Sequence, residues 1–415
     1  MWIRSNKKGA RRSGALLRLL VFVAVLAATA AGSFYAGRSQ SPANLQERDR
    51  ESLELYAEAL DVVRDDYVDQ GAVDPEKLTH GAIKGMLDTL GDEGHTRFLT
   101  PEEREQNQEG LSGTYVGIGV QLEARGDDVV VTAPIEGSPA ERAGVESGDV
   151  VVGVDGESVR DAEISGIVSK VKGPEGTRVR LTVSRDGDER VFDLRREEID
   201  SPAVTWARVP GTDVAHVQLS TFSDDAAGEL RGAFGEAREA GAERFVLDLR
   251  NNPGGRLDQA VEVAGFFLEP GSIAYVRKDA SGEREPIEVE GEPGLTDAPL
   301  VVLVNNGSAS SSEIVSGSLR DNDRATVVGQ TTFGTGTVLS EFELDDGSSI
   351  LLGVAEWLTP DGDFIRETGI EPDVKVRQGE GDEPVSPAEW REIGREEALE
   401  SDAQLRTALE ELPGQ

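Results

Sequence analysis

The sequence holds no cysteine, only two methionines and only three histidines, His80, His95 and His216. The first absence excludes disulfides, thiolate metal sites, a cysteine nucleophile and lipid attachment through cysteine. The scarcity of histidine leaves no metal-ligand cluster of the usual spacing, so no metal and no cofactor is expected. Basic residues are also short: 42 Lys and Arg stand against 79 Asp and Glu, for a net charge of -37 over 415 residues. A chain this acidic is a poor partner for phosphate backbones, which excludes nucleic-acid binding as its main role. Long apolar runs are lacking too, with one exception near the start.

That exception follows a basic leader. Residues 1–40 carry seven Lys and Arg and no acid, so the rest of the chain bears about -44. The apolar run from about Leu16 to Tyr35 is broken only by Arg18 and is long enough to span a bilayer. Positive charge ahead of it predicts a single-pass cell-membrane anchor with the bulk of the chain outside the cytoplasm. The alternative is secretion after cleavage of a signal peptide at the small residues "ATAAGS".

The remaining length predicts more than one core. From 41 to 112 the apolar residues recur at three- and four-residue spacing, which predicts short helices, one of them starting at Asp74-Pro75. From 113 to 199 short β-rich runs alternate with glycine turns and two short helices, the pattern of a small barrel or sandwich. From 200 to 378 strands such as "RFVLDLR" and "PLVVLVN" alternate with helices, which predicts an α/β layer with parallel pairs and ligands gathered beyond the strand C-termini. Residues 379–415 read as an acidic linker and a helical tail, expected to remain largely solvated.

Two segments bear on chemistry. "DLRNNPGG", Asp248 to Gly255, follows a buried strand and opens a helix, so its amides suit an oxyanion hole, although a plain strand-to-helix turn reads the same way. "NGSASSSEI" does likewise and would hold a serine on a tight turn with its hydroxyl exposed, although serine-rich helix starts are common.

In combination these runs say more. "GAIKGMLDTLGDEGHTRFLTPEE", "GTYVGIGVQL", "GSPAERAGVESGDVVVGVDG", "VLDLRNNPGGRLDQAVEVAGFFL", "LVVLVNNGSASSSEIVSGSLRDN", "TTFGTGTVL" and "WLTPDGDFIRETGIEPDV" occur in the order in which the carboxyl-terminal processing peptidases carry such motifs. About three quarters of the chain resembles that family, the tail-specific S41-type serine proteases with an internal PDZ domain. The resemblance implies a crotonase- or ClpP-like protease core with an inserted β-rich PDZ domain that gates access and recognises the apolar C-termini of protein or peptide partners. It implies Ser310 as nucleophile, with Gly255 and Ser311 as oxyanion donors. It also implies Gly117 and Ile118 as the carboxylate-binding loop, and Lys172 as a basic residue coupling occupancy to catalysis. An oligomer is compatible with it.

One part of the pattern is missing. The family's general base is a lysine in "FGKG", supported four residues later by glutamine, and this sequence has Thr335 and Leu339 there. A threonine hydroxyl has no useful basicity near neutral pH. Three readings follow: a catalytically silent relative that binds C-termini as a scaffold, a replacement base, or slow hydrolysis from the oxyanion hole alone. For the replacement base the candidates are His95 with Glu367 or Glu371 as its acid, by resemblance to more distant Ser/His/Glu relatives. Each also reads as an ordinary loop or surface residue.

Overall fold

The computed structural model describes residues 47–413, apart from 93–94, 126–127, 136, 161, 163, 186, 380–383 and 392. The expected leader and apolar run lie outside the described residues. Among the described residues no helix is long and apolar enough to cross a membrane. The chain divides into two units, 1–81 and 82–415. The described part of the first is the helix Glu47–Asp66, a short 3-10 turn and the start of the helix Pro75–Asp88. That last helix begins where the sequence predicts: the Asp74 carboxylate accepts from the amides of Glu76 and Lys77, and Pro75 needs no acceptor.

Among the described residues the second unit holds three sheets of three or more strands. One is antiparallel and runs Val120–Arg125, Asp128–Pro134, Val150–Val154, Arg178–Arg185, Asp188–Arg195, with Glu157–Ser158 added beside Val150–Val154. The short helices Pro139–Ala143 and Ile164–Val171 close it around a core that includes Ile118, Val131, Ile167, Leu181 and Val183. This is the β-rich module expected from the glycine-turned runs.

The sheet that places the site has six strands: β1 (Val204–Arg208), β2 (Val214–Leu219), β3 (Arg244–Asp248), β4 (Leu300–Val304), β5 (Thr326–Gly329) and β6 (Val374–Lys375). Only β1 runs antiparallel to its neighbour. Three helices, α1 (Ala226–Glu239), α2 (Leu257–Phe267) and α3 (Ser311–Asp321), belong to the core that receives Phe245, Leu247, Val302 and Val304. The alternate residues Val246, Val301 and Leu303 belong to a different core, completed by the C-terminal helices α4 (Gly394–Ser401) and α5 (Ala403–Glu411) with Trp390 and Leu405. Parallel strands need cover on both faces, and here the tail supplies the second layer. The expectation of a largely solvated tail is therefore corrected: Val385, Trp390, Ala398, Leu405, Ala408 and Leu409 are all buried.

A second correction concerns strands that the sequence reading passed over. Arg97–Leu99, Ser349–Leu358, Ile273–Lys278 and Arg284–Glu288 form an antiparallel sheet, and Thr337–Glu343 pairs with Ser349–Leu358 as well. Its bulged register and exposed residues at Leu339, Phe342 and Val354 blur the two-residue alternation that betrays a strand.

Candidate active site

Both chemistry-bearing segments leave adjacent parallel strands, β3 and β4, at their C-terminal ends, and backbone and side-chain bonds sew them together. The Ser308 hydroxyl donates to Leu249 O at 2.7 Å and accepts from Asn305 N at 3.0 Å. Asn251 and Asn305 exchange bonds: the Asn251 amide donates to Asn305 Oδ1 at 2.9 Å, and Asn305 Nδ2 donates to Asn251 Oδ1 at 2.8 Å. Asn252 is wholly buried; its carbonyl accepts from Ala309 N and from the Ser312 hydroxyl, while its side chain reaches Leu219 O and Gly254 N. Asparagine and serine are needed here because each couples a donor and an acceptor over a short reach.

Ser310 stands at the junction. Its φ of 54° and ψ of -115° are unusual for a residue with a side chain, and it directly precedes α3. A Cβ on Gly254, which has φ of 102°, would lie 2.7 Å from Ser310 Cβ and 3.0 Å from Ser311 N. Only glycine allows this approach, and it brings the loop backbone against the start of α3. The Gly255 and Ser311 amides have no acceptor among the described residues. Two uncommitted amides beside a strained serine are what an acyl-transfer site requires of its backbone.

Glu313 is the main residue that the sequence reading missed. Its carboxylate is fully buried, and each oxygen takes two bonds. Oε1 accepts from the Thr332 hydroxyl at 2.5 Å and Gly334 N at 2.7 Å. Oε2 accepts from Ser310 N at 2.8 Å and Thr335 N at 2.9 Å. One carboxylate thus staples the Thr332–Thr335 loop to the serine turn. Its visible signal was the Ser-x-x-Glu spacing from Ser310, which reads as an ordinary helix start.

Thr335 is buried on that loop, and its Oγ1 accepts from Ser310 N at 3.1 Å. Leu339 lies on the strand Thr337–Glu343, opposite Gly353. The Ser310 hydroxyl is hydrogen bonded to no imidazole, amine or carboxylate among the described residues. His95 packs edge-on against Phe333 of the same loop, with ring centroids 5.6 Å apart, and its Nε2 is buried without a partner. The carboxylate facing it is Asp92, 3.5 Å from Nδ1, which also meets Arg366 at 2.9 Å and accepts from Thr96. Glu367 and Glu371, the acids expected from sequence, are not brought to His95. Glu367 is exposed, and its backbone amide donates to Gly334 O, whereas Glu371 pairs with Lys375.

In the β-rich module Gly117 ends the strand Thr114–Gly117, and Ile118 is fully buried. The carbonyls of Ile118 and Gly119 accept from Ala140 N and Ile135 N, while their own amides find no acceptor among the described residues. Lys172, just after the helix Ile164–Val171, donates to Glu109 Oε2 at 2.8 Å and lies 5.0 Å from the Tyr115 ring centroid. It therefore ties the module to the helix Pro101–Ser112.

Comparison with known proteins matches these parts to known families. Residues 213–376 match the model of peptidase family S41, 130–185 that of a PDZ domain, and 22–94 that of the activating protease CtpB N-terminal domain. Carboxy-terminal processing protease CtpA of Bacillus subtilis is 34% identical over 362 residues, which cover 87% of this chain and 77% of that protein. A probable CtpA-like serine protease of Staphylococcus aureus is 34% identical over 374 residues, covering 90% and 74%. The chain belongs to peptidase family S41. It is a serine-type peptidase with a PDZ domain. A solved photosystem II D1 C-terminal processing protease is 31% identical, covers 78% of this chain with 92% of its own, and superposes with a TM-score of 0.45. Within this S41 chain, Ser310, Gly255, Ser311 and Thr335 are drawn together by bonds and close approaches, His95 touches their loop, and Gly117, Ile118 and Lys172 lie on the PDZ side.

Proposed function

We propose that the chain is a PDZ-gated endopeptidase of the carboxyl-terminal processing kind, with a crotonase- or ClpP-like core, acting outside the cytoplasm on proteins with exposed apolar C-termini. The observation that carries the reading is the approach of Gly254 to Ser310, which sets a strained serine beside the uncommitted Gly255 and Ser311 amides. Ser310 Oγ attacks the peptide carbonyl carbon, and the two amides receive the developing oxyanion. The amine leaves with a proton, and water then hydrolyses the ester.

His95 is the proton acceptor in this reading, directly or through one water, in place of the family lysine. Its Nε2 has no partner among the described residues, and the Asp92 carboxylate, 3.5 Å from Nδ1 without a hydrogen bond to it, sets negative charge on the side of the ring away from Nε2. Tail recognition falls to the PDZ amides at Ile118 and Gly119, which have no acceptor among the described residues. The membrane-anchored, extracytoplasmic placement rests on the basic leader and the apolar run.

The test is cleavage of an unfolded protein with an apolar tail, read by mass spectrometry. The parent cleaves, Ser310→Ala does not, and His95→Gln loses about 10²- to 10⁴-fold in rate. Cleavage by Ser310→Ala removes the serine mechanism, and indifference to His95→Gln removes the imidazole. A second reading, capture of C-termini without cleavage, is favoured by Thr335 and Leu339 standing where the base apparatus belongs. It predicts binding with no change of substrate mass.

A further inference from the structure

The segment after Val376 lies beyond the matched peptidase region, yet it is bonded to the strand end from which the Asn251–Gly255 loop departs. The Arg250 guanidinium is wholly buried between two carboxylates. Its Nε and Nη2 donate to Asp248, and its Nη1 donates to Asp402 Oδ1 and Oδ2 at 2.9 and 2.8 Å. Asp402 does more than balance charge. Its Oδ1 accepts from Leu405 N, capping α5, and its Oδ2 accepts from Val385 N, both at 2.9 Å.

A second thread arrives by way of Trp390. The indole nitrogen can only donate, and it donates to His216 Nδ1 at 3.1 Å. This leaves the imidazole proton on Nε2, which lies 3.0 Å from Asp248 Oδ2. Both threads end on Asp248 and Arg250, and Asn251 follows at once with φ of 58°. We infer that residues 385–412 are a positioning element of the active site. Asp402 and Trp390, through Arg250 and His216, fix the direction in which the glycine loop leaves β3 and so the aim of the Gly255 amide. The consequence for catalysis rests on Gly255 as an oxyanion donor; the mechanical coupling does not.

The test uses the full chain with Asp402→Asn, which keeps the volume and an oxygen for Leu405 N but removes the charge, and Trp390→Phe, which removes only the indole donor. Amide exchange of the 249–256 region is followed by mass spectrometry together with kcat and KM. In Asp402→Asn, exchange in that region rises about tenfold while β4 is unchanged. In the same variant kcat falls about 10- to 100-fold at constant KM. Trp390→Phe shifts both in the same direction by a smaller factor. Unchanged exchange at 249–256 in the folded variants overturns the inference; should Asp402→Asn not fold, Trp390→Phe decides alone. A parent without turnover sinks the Ser310 reading and leaves the exchange result standing as the test of this one.

Discussion

Replacing Glu313 by glutamine changes one atom and tests how the site is held. In the parent, Oε1 serves the Thr332 hydroxyl and Gly334 N, and Oε2 serves Ser310 N and Thr335 N. An amide offers one oxygen and one NH2, so one pair of donors must face a donor. The less costly orientation points NH2 at Thr332, whose hydroxyl already accepts from Ile370 N and must take a second donor while losing its own acceptor, and leaves Gly334 N–H unsatisfied. One buried orphan amide plus the loss of charge assistance on the remaining bonds amounts to about 2–4 kcal/mol. The assay is urea unfolding followed by tryptophan fluorescence. Residues 113–199 contain no tryptophan, whereas Trp206, Trp357 and Trp390 belong to the two cores that cover the parallel sheet and Trp2 lies in the leader, so unfolding of the β-rich module is silent in the signal. A midpoint within experimental error of the parent, at equal slope, refutes the staple.

Other variants probe neighbouring claims. Gly254→Ala places a Cβ 2.7 Å from Ser310 Cβ at φ of 102°, so a stability loss of about 1–3 kcal/mol and loss of cleavage are expected, read by melting and by turnover. Burial pushes the Asp248 carboxyl up, but the Arg250 charge and the bonds from His216 and Arg250 outweigh it and hold the group well below the ordinary carboxylate range. Its stabilisation is therefore complete above the unfolded value of about 3.9 and is lost as pH falls from there toward the folded value. In Asp248→Asn, acid unfolding takes up about one proton fewer in that window, measurable from the pH dependence of the urea midpoint. Lys172→Met breaks a half-exposed pair with Glu109, which costs about 0.2–1 kcal/mol at most. Peptide affinity should persist, while the dependence of cleavage on PDZ occupancy, measured by titrating a tail peptide, should be lost.

The β-rich module and the parallel sheet were legible because their residues obey local rules. Glycine turns bound the short strands, and "LVVLV" and the central "FVL" of "RFVLD" are apolar at consecutive positions. That same lack of alternation held a message that the sequence reading did not draw. Strands apolar on both faces need two covering layers: α1 to α3 supply one, and the tail helices supply the other. The serine turn and glycine loop were legible from their place at strand ends. Glu313, Asp92 and Asp402 were not, because among 79 acidic residues nothing local marks the few that turn inward. For two of them the decisive partner is distant in sequence: Asp402 is 152 residues from Arg250, and Glu313 is 22 from Thr335.

The persistence of this frame around Thr335 has a physical explanation separate from catalysis. Glu313 holds the loop through the backbone amides of Gly334 and Thr335 and through the Thr332 hydroxyl, none of which belongs to the side chain at 335. Exchanging lysine for threonine there removes an amine without removing a bond of the staple, and the new hydroxyl adds one by accepting from Ser310 N. The loop thus keeps its place whatever proton chemistry residue 335 supplies. The serine turn and glycine loop thus set the nucleophile and the oxyanion amides, and removal of the Ser310 proton is a separate task for another group. Restoring the amine isolates that question: if the frame alone is preserved, Thr335→Lys with Leu339→Gln turns a binder into a peptidase. If His95 already does the work, the double variant makes cleavage indifferent to His95→Gln, whereas the parent remains dependent on it. Cleavage of a tailed polypeptide by the four proteins separates these cases. Equal rates in all four would refute a proton-transfer role for either residue.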